Sequence, residues 1–363
     1  SMARASLPTL FSCLCLCLLL FNLSAVTPGP SPKLRDYNIS LLESTVSGLS
    51  SGAFMAVQFH VSYSDIISGV GVMAGGPFWC ARGNLKWGEE ACMSTPSLIG
   101  VDELIAITYT TYETTRTISD PANMKNDRVY VFSGLNDSVV KTGVVDATWK
   151  YYKHFVTEGT ITTEFSIPAE HALVTLDYGN ACGYLGIPFI NKCGFDGAGA
   201  MLKNIVSFPL KPRSSSFNES NFFIFDQTEF LKDLPGKAAD YGMDESGFVY
   251  VPLACQNKDT DTNTQRQQQH CYLHVHYHGC KQSTEVLGQT YIQHSGFANY
   301  ADSNNLIILF PQAHSSLLNP YGCWDWIGWY GETYASRLGL QIIAVKEMID
   351  RLDGTNLNLA GTI

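Results

Sequence analysis

Charged side chains are scarce in this 363-residue chain. They make up 15% of it, with 33 Asp and Glu against 23 Lys and Arg, for a formal net charge of −10. A sparse, acidic surface argues against nucleic acid and anionic membranes as partners, because both repel negative charge. Cysteines in C-x-x-C spacing are missing, which removes zinc ribbons. Beyond the N-terminal segment no apolar run is long enough to cross a bilayer. There is no internal repeat, and no linker that would set an adsorption module apart. With 45% hydrophobic residues the chain can bury a substantial core.

The N-terminal segment stands outside that core. Arg4 gives a small positive region, Leu10 to Leu20 is almost wholly apolar, and Pro28 and Pro30 break the pattern. This reads as a secretory signal peptide over residues 1–25, cleaved near Ala25, with an uncleaved anchor as the alternative. Residues 26–363 then form a single catalytic domain of a secreted, extracellular protein, expected to be a monomer. Cys13, Cys15 and Cys17 leave with the signal. Eight cysteines remain, an even number that implies disulfides in an exported chain. Short loops suggest Cys80–Cys92, Cys182–Cys193 and Cys255–Cys271, leaving Cys280–Cys323. Sequence alone cannot prove this, since eight cysteines allow about 105 pairings. Asn38-Ile39-Ser40 and Asn218-Glu219-Ser220 are glycosylation acceptors in a eukaryotic host.

Strand and helix patterns alternate. Strands are expected at 39–46, 66–74, 129–133, 162–167, 248–252, 272–277 and 306–310. Helices are expected at 52–62, 95–109, 144–156 and 334–350. Such alternation points to an α/β fold, a mainly parallel sheet with helices on both faces. The glycine-rich, cysteine-bounded stretch 180–199 looks like a lid or cleft wall. The polar stretch 256–269 reads as a surface loop.

Gly48-Leu49-Ser50-Ser51-Gly52 is the most informative run. G-x-S-x-G between a strand and a helix is the nucleophile elbow: the glycines permit a sharp turn that lifts the Ser50 hydroxyl above the sheet. A serine hydroxyl needs a histidine to take its proton and a carboxylate to orient that histidine. In the order Ser, acid, His the chain offers Asp137, on a Gly134-Leu135-Asn136-Asp137 turn after a strand, and His171, just past the next strand. Asp127 precedes its strand and sits at the wrong end. Asp146 falls in a helix pattern, and Asp177 is a weaker rival. His60 and His154 lie in helix patterns and read as structural or solvated.

His274, His276 and His278 alternate along one strand and so share a face. An H-x-H pair can bind zinc, but no companion cluster accompanies it, and neither metal nor cofactor is expected. His278-Gly279-Cys280 reads better as an oxyanion turn offering a backbone N–H, with the second from Ser51. That turn ordinarily precedes the elbow; here it follows by more than two hundred residues. Joining the chain ends would restore the usual order, so a circularly permuted α/β-hydrolase is expected. Trp324, Trp326 and Trp329 lie too close together for all to be core. They are expected to line the cleft, with His278 beside them; a structural aromatic cluster is the alternative.

Together these runs resemble the extracellular polyhydroxybutyrate depolymerases of the permuted, single-domain, disulfide-stabilised kind. The match covers Gly48 to Ala56, Gly71 to Pro77, Gly134 to Asp137, Cys193 to Ala198, His278 to Cys280 and Cys323 to Trp326, in consistent order. The resemblance implies a Ser50–Asp137–His171 triad, an oxyanion hole from the amides of Ser51 and Cys280, and polyester contact near Trp324. The implied substrate is a hydroxyalkanoate polyester or a small ester. A feruloyl or acetyl-xylan type carbohydrate esterase and a non-catalytic hydrolase-fold binding protein are the alternatives.

Overall fold

The computed structural model describes residues 31–256 and 270–354, which fall in one compact unit. The expected signal peptide and most of the polar stretch 256–269 lie outside the described residues. Among the described residues eleven strands run in chain order: β1 Ser44–Leu49, β2 Ile67–Met73, β3 Arg128–Phe132, β4 Ile161–Glu164, β5 Leu173–Thr175, β6 Asn180–Ala181, β7 Ile190–Lys192, β8 Phe222–Asp226, β9 Ser246–Tyr250, β10 Tyr272–Tyr277 and β11 Leu306–Phe310. Eight of them form the main sheet in the order β4-β3-β2-β1-β10-β11-β9-β8. Every pairing from β4 to β11 is parallel; β9 is antiparallel to both its neighbours.

Read from β8 through β11 and then β1 through β4, the strands take the sheet order 1-2-4-3-5-6-7-8 with the second reversed. That is the α/β-hydrolase sheet, entered at its fifth strand. The places where the ends would rejoin are adjacent: Tyr37 N donates to Leu352 O at 2.9 Å. The permutation expected from motif order is therefore the observed topology.

Glycines show that helices cover both faces. A Cβ on Gly48 of β1 would lie 2.2 Å from Gly52 O, in the helix Ser51–Ser62. Gly71 of β2 pairs with Ser47, so it faces the opposite side, where a Cβ would lie 2.3 Å from Met201 Sδ in the helix Gly197–Ile205. β1, β10 and β11 are buried along nearly their whole length, as central parallel strands must be.

Several boundaries differ from expectation. β1 begins at Ser44 because Leu41–Glu43 forms a 3-10 turn. The first long surface helix runs Val101–Thr115, since Pro96 and Gly100 confine the preceding residues to a 3-10 turn and a cap. The closing helix runs Leu340–Asp353, capped by Gly339. Stretch 180–199 holds β6, β7 and the start of the helix Gly197–Ile205; β6 and β7 form with β5 a small second sheet. Among the described residues four disulfides are present: Cys80–Cys92, Cys182–Cys193, Cys255–Cys271 and Cys280–Cys323.

Candidate active site

Ser50 follows β1 at φ 56° and ψ −124°, a conformation that costs a non-glycine residue on the order of 1–3 kcal/mol. Its surroundings hold it there. Ser50 N donates to Met73 O at 2.9 Å, and its carbonyl accepts from Ala53 N and Phe54 N. Gly52 is required by close approach, since a Cβ there would lie 2.4 Å from both Tyr277 O and His278 O. The turn places the hydroxyl at the positive end of the helix Ser51–Ser62.

Asp137 comes from the turn after β3, and His171 from the segment after β4. The two loops are stitched together by Leu135 N to Ile167 O at 2.8 Å and Asn136 N to Ala169 O at 3.1 Å. Gly134 sits so close to this partner that a Cβ would meet Ala169 O at 2.3 Å. Asp137 Oδ2 lies 2.8 Å from His171 Nδ1, and both side chains are buried. Asp137 Oδ1 accepts the amides of Val139 at 2.9 Å and Val140 at 2.8 Å. With all these bonds made to an acceptor-only carboxylate, Nδ1 carries the proton and Nε2 keeps a free lone pair. Among the described residues, neither Ser50 Oγ nor His171 Nε2 has a hydrogen-bond partner.

Glu170, a residue sequence reasoning missed, braces this pair. Its Oε2 accepts His171 N at 2.8 Å and Ser138 N at 3.1 Å. Burial pushes its carboxyl up, but these amides outweigh burial and hold it below the usual range.

The rival residues are engaged elsewhere. Asp127 takes a hydrogen bond from buried His60 Nε2 at 3.0 Å, before β3 begins, and His60 Nδ1 meets Tyr152 Oη. Asp146 pairs with Lys150, Asp177 with Arg213, and His154 with Tyr109. The three alternating histidines of β10 and its end do share a face, but each has both ring nitrogens hydrogen-bonded. His274 bonds Thr45 and Ser47, and His276 bonds Ser47 and Tyr291. His278 bonds Gly279 O through Nδ1 and accepts Ala313 N through Nε2. Burial pushes His274 down to about 3, His276 well down, and His278 to about 4. His278 is thus a buried, saturated imidazole, and the expectation that it contacts substrate is corrected.

The turn His278-Gly279-Cys280 abuts the elbow: a Cβ on Gly279 would lie 3.3 Å from Ser50 Cβ. Among the described residues neither Ser51 N nor Cys280 N has an acceptor. The tryptophan run needs a further correction. Trp324 is 0% exposed and packs edge-on to Tyr277, so it cannot touch a polymer; its amide instead donates to Ser51 Oγ at 3.3 Å. Trp326, 6% exposed, stacks on Phe54. Trp329 alone of the three keeps appreciable exposed surface. Asp325, also missed, shapes the run: its carboxylate accepts the amides of Ile327, Gly328, Trp329 and Tyr330.

A permuted α/β-hydrolase sheet with a strained elbow serine and a buried carboxylate–imidazole pair defines the serine-hydrolase class. No family model matches the chain. It is 42% identical over 320 residues to the poly(3-hydroxybutyrate) depolymerase of Delftia acidovorans, covering 88% of this chain but only 61% of that enzyme's length. It is 32% identical to the polyhydroxybutyrate depolymerase of Talaromyces funiculosus, covering 88% of this chain and 92% of that one. It is also similar to two solved structures: a PHB depolymerase (a Ser-to-Ala variant) complexed with R3HB trimer, and PHB depolymerase from Penicillium funiculosum. Each matches with TM-score 0.78 and 31% identity, covering 89% of this chain and 99% of the other. The chain belongs to the polyhydroxybutyrate depolymerase family.

Proposed function

We propose that this protein is a secreted serine esterase that hydrolyses poly(3-hydroxybutyrate)-type polyesters or their oligomers through an acyl-enzyme, within one catalytic domain. The carrying observation is the buried pairing of Asp137 Oδ2 with His171 Nδ1 at 2.8 Å, on segments that leave the same end of the parallel strands as Ser50 does. Ser50 Oγ attacks the ester carbonyl and its proton passes to His171 Nε2. The amides of Ser51 and Cys280 receive the developing oxyanion, each such donor contributing about 3–4 kcal/mol. His171 returns the proton to the leaving alcohol end of the polymer. Water then enters by the same route and releases the acyl chain as acid.

A polyester is favoured by the surroundings of the oxyanion turn. Lys281 N donates to Tyr321 O, and Gln282 Nε2 donates to Pro188 O and Phe189 O. These bonds tie the turn to two segments with exposed apolar side chains, Tyr184, Leu185 and Ile187 on one and Leu317, Leu318 and Tyr321 on the other. Such a rim suits a water-insoluble ester better than a sugar. The relatives' names and the R3HB trimer bound to one of them support the same substrate class. Four cystines fit an oxidising, extracellular compartment. Exposed Asn38 and Asn218 suit glycosylation there.

Two assays test this reading. Ser50→Ala abolishes hydrolysis of p-nitrophenyl butyrate with Tm nearly unchanged; retained activity would remove Ser50 from the mechanism. Clearing of a polyhydroxybutyrate suspension, without release of ferulate or acetate from xylan, separates polyester from carbohydrate esterase.

A further inference from the structure

Gln282 is fully buried, and its amide is committed at both ends. Oε1 accepts Gly279 N at 2.7 Å, while Nε2 donates to Pro188 O at 3.1 Å and Phe189 O at 3.0 Å. It therefore joins the oxyanion turn to the loop closed by Cys182–Cys193. The bond to Gly279 N also removes that amide as a competing donor. The next peptide plane is fixed as well. Gly279 O is held by His278 Nδ1 at 2.7 Å and by Gln282 N at 3.2 Å. In a trans peptide the N–H points opposite to the C=O. The Cys280 N–H is thus turned away from both holders, and among the described residues it has no acceptor.

We propose that Gln282 is a positioning residue of the oxyanion hole: it occupies the Gly279 amide, aims the Cys280 amide at the reacting carbonyl, and anchors the turn to the 182–193 loop. Sequence gives no hint of this, because a glutamine two residues past a cysteine fits any loop. The proposal rests on the serine-esterase reading above. A preorganised donor acts on the transition state more than on the bound ester. Loss of Gln282 should therefore lower kcat while leaving KM nearly unchanged.

The test is Gln282→Met, which keeps the volume and removes both hydrogen-bonding ends. Active sites are first counted by reaction to completion with a fluorophosphonate; absence of any labelling in the unaltered protein would sink the esterase reading instead. Per titrated site, kcat for p-nitrophenyl butyrate is expected to fall about 10- to 100-fold, with KM within about twofold. Inhibition by butylboronic acid, which forms a tetrahedral adduct, should weaken by the same factor. An unchanged kcat per titrated site, or a loss confined to KM, overturns the proposal, since a merely structural glutamine would reduce only the count of active sites or Tm. If the variant does not fold, amide exchange of the unaltered protein labelled at Gly and Cys decides. Gly279 N–H should be protected without ligand, and Cys280 N–H only with the boronate; equal exchange of the two without ligand overturns the assignment.

Discussion

Asp137 and His171 meet at 2.8 Å although they stand 34 residues apart, on the segments that follow strands β3 and β4 of the sheet. The contact depends on the turn between them being locked at several points: Gly134 against Ala169, Glu170 against Ser138, and two amides on Asp137 Oδ1. The carboxylate is thus oriented before any substrate arrives.

Replacing that carboxylate by an amide should preserve the fold and ruin the chemistry. In Asp137→Asn the Oδ1 position can still accept the amides of Val139 and Val140. The group facing His171 Nδ1 then becomes a donor and selects the wrong imidazole tautomer. We expect kcat for p-nitrophenyl butyrate to fall on the order of 10⁴-fold, with Tm within a few degrees. A loss below about tenfold would show that another group orients His171.

The Cys280–Cys323 bond closes the longest cystine loop, with a separation of 43 residues. Loop-closure entropy puts its removal by Cys280→Ser with Cys323→Ser at about 4 kcal/mol of unfolding free energy, against about 3 for Cys80 with Cys92. Urea unfolding of the two double variants measures the difference. Because the first bond also anchors the turn proposed to hold the oxyanion, only that variant should lose kcat per active site.

Acid should destabilise the protein through the buried imidazoles. His274, His276 and His278 are held neutral by burial, so their folded pKa values lie below the unfolded value of about 6.5. Their contribution is complete above that value and is lost as pH falls towards the folded values. Between pH 7 and 5 His274 and His278 should each cost about 2 kcal/mol of stability, with His276 acting in the same direction. Chemical denaturation at the two pH values tests this; a flat profile would mean the rings protonate within the fold.

The apolar rim should matter for solid polymer and not for soluble ester. Leu317 is 98% exposed, so Leu317→Ser with Leu318→Ser costs no packing at the first position and little at the second. We expect several-fold slower clearing of a polyhydroxybutyrate suspension, with kcat/KM for p-nitrophenyl butyrate unchanged. Equal clearing would take this segment out of polymer contact.

Much of this architecture was legible in the sequence because it is local. Strands at the centre of a parallel sheet read as unbroken apolar runs, as Leu306–Phe310 does. The elbow advertised itself by glycines spaced for one turn. β8, by contrast, was missed: Phe222–Asp226 is an antiparallel edge strand with no alternation to mark it. Trp324 was misplaced because a tryptophan in a polar, aspartate-containing run gives no sign of which side of the chain faces the core.

The sequence by itself determined the alternation of elements, the elbow, and the order of Ser50, Asp137 and His171, and its short loops favoured one cystine pairing without fixing it. Only the tertiary structure showed which side chains brace the proposed site. Glu170, Gln282 and Asp325 act through hydrogen bonds to backbone amides, and a backbone amide carries no residue identity for a motif to record. The burial of His278 and Trp324 was likewise settled by packing between segments far apart in the chain, which local pattern cannot encode.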